Sequence, residues 1–333
     1  MYTDRDVVVS IVLGGGKATV ALVDYHGQIL QRAHAKTLKG RPLAATLEPY
    51  LRAVDALLVW AQSEQLAVRG IGVSVPGSLD ERASRPVQIP LLPALNGFPL
   101  RDFIAARYEL PCQLLIDVDA AILGEHRFGA GKGFRRLLFL TVNAVMGAAL
   151  IVDGQVEHAD KQVDRQIDRY MGHICHVLVA TSGPRCSCGK RGCANTLISM
   201  DAVQRMVQRA VQRGEETPLT QRLLKREPFS PQLLLEEARR GDSLALRIAH
   251  EVGQWLGVAV TKYVDLFEPE ALIIGGGPFY ADELLLAQVR QVLIHNQRSS
   301  LCCMLEIMPA LMESDAALVG AAVPFFVPSV VGS

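Results

Sequence analysis

Three cysteines and a histidine form the chemically most specific pattern in this chain. Cys186-Ser187-Cys188-Gly189 is followed by Gly192-Cys193, so three thiols lie within eight positions, and His173 precedes them by about a dozen residues. Three thiolates and one imidazole satisfy a closed tetrahedral zinc site, and the glycines supply the tight turns that such close spacing needs. The pattern predicts a structural zinc ion bound by His173, Cys186, Cys188 and Cys193.

Two other interpretations of these thiols remain open. They could be reduced cysteines in a turn, or they could form a disulfide. The disulfide is disfavoured because cysteines two positions apart close a strained ring, and because nothing else in the chain indicates secretion. The remaining cysteines are expected to be free thiols in buried or partly buried positions: Cys112, Cys175, Cys302 and Cys303.

Composition narrows the classes of partner. Half of the 333 residues are apolar, a fifth are charged, and Lys plus Arg (34) equals Asp plus Glu (34). A protein that binds nucleic acid or an anionic membrane usually carries an excess of positive charge, and this sequence has none. The balance favours a small-molecule or protein partner. The N-terminus has no signal-peptide pattern, and Gly320, Pro324 and Pro328 interrupt the apolar stretch 316–331. A cytoplasmic protein without a membrane span is therefore expected.

The surrounding pattern predicts two related α/β halves. A β-branched run at 7–13 ends at a triple glycine and is followed by a second strand at 18–23, which predicts a hairpin. A strand, a glycine turn, a helix and another strand then follow, and the order recurs from Leu137 onward. A strand at 112–117 ends in Asp117, and a strand at 271–274 ends in a second triple glycine. Ligands of open α/β sheets bind at such strand ends.

These motifs together resemble the ROK family, which comprises repressors, uncharacterised reading frames and sugar kinases. The resemblance covers residues from about 7 to 323 and is carried by the cysteine segment and five further motifs: Pro76-Gly77, Ile116-Asp117, Ala120-Ala121-Ile122-Leu123-Gly124-Glu125, Gly129-Ala130-Gly131 and Gly275-Gly276-Gly277. It implies two lobes of the actin, hexokinase and heat-shock ATPase (ribonuclease H-like) type around an interdomain cleft. We expect an N-terminal lobe at 1–117, a C-terminal lobe at 118–310 with the zinc segment 173–193, and a terminal helix and tail at 311–333 that return to the first lobe.

The resemblance also assigns roles to individual positions. It places the catalytic base of the kinases at Asp117, where a carboxylate that merely caps a turn is the alternative interpretation. It assigns sugar contacts to six positions: Gly77, Asn96, Asp117, Tyr170, His173 and Asn195. It assigns nucleotide contacts to seven glycines: Gly14, Gly15, Gly16, Gly147, Gly275, Gly276 and Gly277.

Two of the three nucleotide loops depart from the kinase pattern. Active members have Asp-x-Gly-Gly-Thr-Lys after the first strand, whereas this chain has Val12 in place of the aspartate and Gly16 in place of the threonine. The second loop, a run of glycines in kinases, contains Asn143, Ala144 and Val145, and a β-branched residue disfavours the backbone that brings N–H groups to a phosphate. We therefore expect ATP and Mg²⁺ binding to be impaired.

The sugar side is altered as well. The residues at three family positions that hydrogen-bond sugar hydroxyls are Ile116, Tyr170 and Asn195. Each lost partner of a buried hydroxyl costs about 1 to 3 kcal/mol, so an ordinary hexose is expected to bind weakly. The segment 161–169 also differs from the glycine-rich family pattern, which suggests a different, acidic or modified, sugar or simply a divergent loop.

These departures favour the regulator branch of the family, close to repressors of the N-acetylglucosamine or glucose type. The first strand begins at about residue 7, so no winged helix-turn-helix is visible for direct DNA reading. We predict a catalytically silent sensor of a sugar-like ligand, forming a homodimer or higher homo-oligomer. The alternatives are an atypical ATP-dependent sugar kinase acting on a hexose or N-acetylhexosamine, and a non-catalytic assembly partner of a relative.

Overall fold

The computed structural model describes residues 3–14, 16–80, 82–89, 92–157, 174–296 and 305–327. The chain folds into two structural units. Unit 1 contains residues 1–133, 152–156 and 314–333, and unit 2 contains residues 134–151 and 157–313. The boundary expected after residue 117 falls at the start of a helix, and that helix belongs to unit 1.

Unit 1 is built on a mixed sheet whose strand order is β3-β2-β1-β4-β7. Its strands are β1 (Asp6–Val12), β2 (Lys17–Asp24), β3 (Ile29–Lys36), β4 (Ala67–Val75) and β7 (Cys112–Ile116). The hairpin predicted from the first two apolar runs is present, and β1, β4 and β7 are parallel. Shorter strands are β5 (Ser78–Leu79), β6 (Pro86–Gln88) and β10 (Gln155–Val156).

The helices of unit 1 are α1 (Leu43–Ser63), α2 (Leu100–Tyr108), α3 (Asp117–Phe128), α11 (Ala316–Gly320) and α12 (Val323–Phe326). The apolar spacing after Leu47 predicts a helix with Pro49 in its first turn. Helix α1 begins four residues earlier, so Pro49 lies further inside it. Apolar side chains of α1 and of the sheet form one core that includes Val9, Leu47 and Val73.

Helices α3 and α11 cross with their backbones touching. A methyl group on Gly320 would meet the carbonyl of Ala120, and one on Gly124 would meet the carbonyl of Ala316. Only glycine has no Cβ, so this pair of glycines permits the close approach. The crossing fixes the position of α3, whose first residue is Asp117.

Unit 2 contains the strands β8 (Arg136–Val142), β9 (Met146–Val152), β11 (Ala271–Gly275) and β12 (Glu306–Pro309). Among these strands the order is β9-β8-β11-β12, and β11 is parallel to both of its neighbours. The core residues of β8 and β11 are almost continuously apolar, as expected for strands covered on both faces.

Seven helices of unit 2 lie within the described residues. They are α4 (Ala194–Ile198), α5 (Met200–Gln212), α6 (Pro218–Leu224), α7 (Pro231–Arg239), α8 (Ser243–Phe267), α9 (Pro278–Ala281) and α10 (Glu283–Asn296). Ser199 caps α5, because its hydroxyl accepts a hydrogen bond from the N–H of Ala202 at 3.3 Å. The sequence predicts a long helix from about residue 243 to 267, and this helix is α8. Across the described part of the chain, no helix combines the length and the hydropathy that a bilayer span requires.

Candidate functional site

In unit 1, three of the predicted functional segments follow the ends of parallel strands. Gly14 comes shortly after β1, Gly77 shortly after β4, and Asp117 directly after β7. Val12 is paired with Ser74 and Val75 with Ile116, so these strand ends lie at one edge of the sheet. Parallel strands thus bring together residues that are far apart in the sequence, at the kind of edge where α/β proteins bind ligands.

The turn after β1 is shaped by its own chain. Gly14 has no room for a Cβ, which would meet the carbonyl of Lys17, and its own carbonyl accepts a hydrogen bond from the Thr37 hydroxyl at 2.8 Å. Gly15 lies outside the described residues, and Gly16 faces open space. Val12, which precedes the turn, is half-buried and offers neither charge nor hydrogen bond to a metal-bound phosphate.

Asp117 is the first residue of α3 and its carboxylate accepts a hydrogen bond from the N–H of Val118 at 2.9 Å. Burial raises the pKa of this carboxyl above its ordinary value, although the backbone hydrogen bond opposes the shift. A carboxyl group with a raised pKa at a strand end is suited to accept a proton from a hydroxyl. Ionisation of the Asp117 carboxyl therefore lowers the stability of the folded state.

We expect Asp117→Asn to stabilise the protein at neutral pH. The folded-state pKa lies above that of the unfolded chain, so the folded state loses stability as pH rises past the unfolded pKa, and the amide removes this cost. The gain in the thermal midpoint should be present at pH 7 and vanish near pH 3, where the carboxyl is protonated in both states. Asp102→Asn, an exposed aspartate in the first turn of α2, is the control and should change the midpoint little. A variant that is no more stable than the parent at pH 7 would contradict the raised pKa.

Two of the predicted sugar-contact positions in unit 1, Gly77 and Asn96, also make contacts within the protein. Gly77 has a φ of +136°, and a Cβ there would meet the carbonyl of Gln88 on β6. The Asn96 carbonyl oxygen accepts a hydrogen bond from the N–H of Ile89 at 2.8 Å. Asn96 is exposed, and this bond ties it to the residue that follows β6.

In unit 2, the loop between β8 and β9 is closed by its own hydrogen bonds. The N–H of Asn143 donates to the carbonyl of Val145 at 3.3 Å, and the N–H of Met146 donates to the side-chain oxygen of Asn195 at 3.1 Å. The Val145 side chain is 58% exposed. The N–H groups of Asn143 and Met146 are therefore already hydrogen-bonded within the protein, and so is the side-chain oxygen of Asn195. Gly147 is the second residue of β9.

The loop after β11 contains two glycines in the left-handed region. Gly276 and Gly277 have φ values of +113° and +99°, which favour glycine. A Cβ on Gly276 would meet the backbone of Val142 at the end of β8, whereas Gly277 faces open space. Gly275 is the last residue of β11. The second and third predicted loops therefore lie side by side in unit 2.

The three clustered cysteines converge with a histidine on one point. The donor atoms of His176, Cys186, Cys188 and Cys193 all lie within 4.8 Å of one another. The Cys188 and Cys193 sulfurs are 3.6 Å apart, and Nδ1 of His176 is 3.2 Å from the Cys186 sulfur. A tetrahedral zinc site with ordinary bond lengths has donor separations of about 3.5–3.8 Å. The donor set and its spacing fit a zinc ion.

The histidine in this group differs from the one that the sequence analysis expected. His173 and Tyr170 lie outside the described residues, and the histidine that converges with the thiols among the described residues is His176. Both histidines precede the cysteines at distances that a zinc loop can close, so spacing alone did not separate them. The 3₁₀ turn Ile174–His176 is what brings His176 to the thiols.

A short hairpin and two tyrosines position the metal-binding group. Cys186 and Lys190 close the hairpin with a 2.8 Å backbone hydrogen bond, and a Cβ on Gly192 (φ +73°) would meet the carbonyl of Ala180. The Tyr263 hydroxyl donates to the carbonyl of Ile174 at 2.7 Å, and the Tyr280 hydroxyl to that of Ile198 at 2.6 Å. The segment 174–198 is thus fixed at both ends to the helices of unit 2.

Burial disfavours the charged form of one ligand. Cys193 is fully buried, and burial raises the pKa of its thiol above the ordinary value. A bound cation would reverse this preference, because a metal replaces the thiol proton and offsets the cost of the buried charge.

The sequence is similar to those of sugar kinases and of transcriptional repressors. The sequence profile of the ROK family matches residues 8–325. Glucokinase from Thermotoga maritima is 29% identical over 315 residues, covering 95% of this chain and 96% of that enzyme. The xylose repressor of Caldicellulosiruptor bescii is 25% identical over 304 residues, covering 90% of this chain and 73% of the repressor.

Solved structures agree with the predicted α/β fold. A ROK family transcriptional regulator, a homolog of the Escherichia coli MLC protein, has a TM-score of 0.85 at 23% identity, over 96% of this chain and 78% of that chain. A ROK family glucokinase from Streptomyces griseus, in complex with glucose and AMPPNP, has a TM-score of 0.75 at 26% identity, over 95% and 98% of the two chains. The predicted actin/hexokinase type of fold is confirmed by these likenesses.

Proposed function

This chain belongs to the ROK family, and we propose that it is a regulator-type member: a sensor of a sugar-like ligand that transfers no phosphate. The observation that carries the proposal is the loop between β8 and β9. Its Asn143 and Met146 N–H groups bond to the chain itself, and Val145 stands where kinases of the family have glycine. A triphosphate would have to break these bonds to gain its own.

The turn after β1 supports the same proposal. Phosphoryl transfer depends on Mg²⁺ that bridges the phosphate oxygens, and in this family an aspartate at the position of Val12 helps to organise the ion. An apolar, half-buried valine supplies no ligand atom. Loss of a carboxylate here and of backbone donors in the second loop removes two independent parts of the nucleotide site.

The sugar-like ligand rests on relatives from both branches. They include glucokinases and xylose repressors, and the DNA-binding transcriptional dual regulator NagC of Escherichia coli, 26% identical over 283 residues. Gly77 and Asp117 follow the ends of β4 and β7, Asn96 is hydrogen-bonded to Ile89, and all three remain proposed contacts. Tyr170 and His173 remain proposed from the resemblance alone, since they lie outside the described residues.

We assign the metal-binding group to a structural zinc ion. His176, Cys186, Cys188 and Cys193 would hold it, and four protein ligands leave no open position for a substrate. Bound zinc would supply a cross-link between the turn at 174–176 and the hairpin at 186–193. We expect the ion to stabilise this segment and to take no part in catalysis.

A second candidate is an atypical ATP-dependent sugar kinase. Asp117 at the start of α3 has the raised pKa of a proton acceptor, and the loop at Gly275–Gly277 keeps its left-handed glycines. The similarity to a glucokinase over 96% of that enzyme's length favours it too. Such an enzyme would have to hold the triphosphate mainly from the loop after β11.

We expect no phosphate transfer when the zinc-loaded protein is incubated with ATP, Mg²⁺ and a panel of hexoses and N-acetylhexosamines. ADP should form no faster than without protein, and calorimetry at millimolar nucleotide should detect no binding. A sugar that binds the folded state should still raise the thermal midpoint by mass action. The Thermotoga maritima glucokinase serves as the positive control. Turnover in the range of about 1–100 s⁻¹, typical of kinases, would establish the second candidate.

A further inference from the structure

A cavity of about 360 Å³ lies in unit 1, away from the predicted sugar and nucleotide positions. It is bordered by the last turn of α3, the segment 132–133, the turn 153–155 and helix α12. Arg127 and Lys132 contribute cationic side chains, and Leu123 and Val323 contribute an apolar wall. Clefts that hold small-molecule ligands begin at about 300 Å³, so this volume suffices for one.

The Arg127 guanidinium lies over two aromatic rings and makes no ion pair among the described residues. Its guanidinium carbon lies 5.6 Å from the ring centre of Tyr25 and 5.5 Å from that of Phe128, and Tyr25 makes an edge contact with Phe326. Its Nε is buried and has no hydrogen-bond partner in the described part of the chain. A buried donor without an acceptor destabilises the folded protein, so the buried Nε adds to the cost of keeping the guanidinium at this place.

The position of Arg127 in α3 does not explain this arrangement by itself. A cation in the last turn of a helix is favourable, because the helix C-terminus carries partial negative charge. That effect accounts for a charged side chain at this place, but it leaves the orphaned Nε and the second cation unexplained.

Lys132 is the second cation. It is exposed and makes no ion pair within the described residues. The turn that presents it is fixed by Glu125, whose carboxylate accepts the N–H of Ala130 at 2.9 Å and whose carbonyl accepts the N–H of Gly131 at 2.9 Å.

The other charged groups at the cavity do not cancel these two cations. His126 and Asp153 also line it, and each already has an interaction of its own. Asp153 contributes a single negative charge against Arg127 and Lys132, so the lining carries an excess of positive charge.

From this geometry we propose that the cavity binds a small organic phosphate, a phosphate monoester whose body packs on Leu123 and Val323. A guanidinium donates paired N–H groups to phosphate oxygens, and an ammonium group adds a point charge, which together match a tetrahedral dianion. Arg127 lies ten residues after Asp117 in α3, which corresponds to a rise of about 15 Å along the helix. The cavity is a site separate from the proposed sugar site and does not depend on the proposed function.

The test uses the full zinc-loaded chain with inorganic phosphate and glycerol phosphate as probes, at constant ionic strength set with chloride. Calorimetry should detect binding of both, with glycerol phosphate the tighter because its carbon body contacts the apolar wall. Arg127→Met and Lys132→Ala should each raise the dissociation constant about tenfold, as expected for loss of one charged hydrogen-bonding group. Arg209→Ala on α5, another arginine without an ion pair in the described residues, is the matched control and should leave binding unchanged.

Several results would overturn the proposal. Absence of heat with both probes would do so, as would equal affinity in Lys132→Ala, whose exposed side chain can be removed without disturbing the fold. Equally strong binding of succinate would show general attraction of anions and not a phosphate site. Sugar binding measured in parallel keeps failure here distinct from failure of the proposed sensor, because the two sites share no residue.

Discussion

Cys193→Ser is expected to remove the bound metal and to unfold the segment from residue 174 to residue 198. Cys193 is fully buried, its sulfur lies 3.6 Å from that of Cys188, and the next residue begins α4. Structural zinc sites have apparent binding free energies of about 10–16 kcal/mol in small peptides at neutral pH, so losing the ion should cost several kcal/mol. Metal analysis should give about one zinc per parent chain and far less for the variant, with a clearly lower thermal midpoint.

Cys175→Ala provides the matched control. Cys175 is buried beside the cluster and burial raises the pKa of its thiol to about 11, but it is not one of the four converging residues. This variant should retain its zinc. If Cys193→Ser kept both its metal content and its thermal midpoint, the structural zinc site would be disproved.

Two further variants decide between the histidines. His176→Ala should lose zinc to a chelator faster than the parent, whereas His173→Ala should hold it as tightly as the parent. The opposite order would restore the ligand set that the sequence analysis expected. Such a result would place the imidazole ligand outside the described residues.

The two histidines show where sequence reasoning reaches its limit. Three thiols within eight positions were sufficient to predict a metal site, because few other arrangements use that donor set. Which histidine becomes the fourth ligand depends on the path of the backbone before the thiols. His173 and His176 are only three positions apart in the sequence. The 3₁₀ turn at Ile174–His176 brings the His176 imidazole to the thiols, whereas His173 lies outside the described residues.

Local elements were predictable where the sequence pattern was strong. The strand at Cys112–Ile116 and the helices at Leu100–Tyr108 and Ser243–Phe267 follow directly from apolar spacing and terminal signals. Strand β3 was not predicted, because most of its side chains are exposed and its sequence lacks a buried face. Antiparallel pairing with β2 makes this segment a strand, which its own sequence pattern does not predict.

The state of the nucleotide loops required the structure. Val12 and Val145 already indicated a damaged site in the sequence. That Met146 donates to Asn195 is an interaction across 49 residues, and a sequence pattern contains no sign of it. This bond connects Asn195, a predicted sugar contact, with the loop between β8 and β9, a predicted nucleotide loop. The predicted homo-oligomer stays a prediction.

Gly320→Ala is expected to destabilise unit 1 by about 1–3 kcal/mol, the usual cost of forcing an extra methyl group into a closed contact. The new Cβ would meet backbone atoms of Ala120 and Gly124 on α3, and backbone cannot rotate away as a side chain can. The helices would have to separate, which shifts α3 and with it Asp117 and Arg127 at its two ends. Denaturant unfolding should show a lower midpoint, and calorimetry should show weaker binding of phosphate.

The sign of this effect separates close helix packing from helix propensity. Alanine is favoured over glycine inside a helix by about 1 kcal/mol, so without the contact between α3 and α11 the substitution would stabilise the protein. Gly16→Ala is the matched control, since a Cβ there meets nothing within 4 Å and its φ is outside the left-handed range. It should change stability by less than about 0.5 kcal/mol. Stabilisation by Gly320→Ala would mean that the two helices are not in backbone contact, and the position of Asp117 and Arg127 would then need another cause.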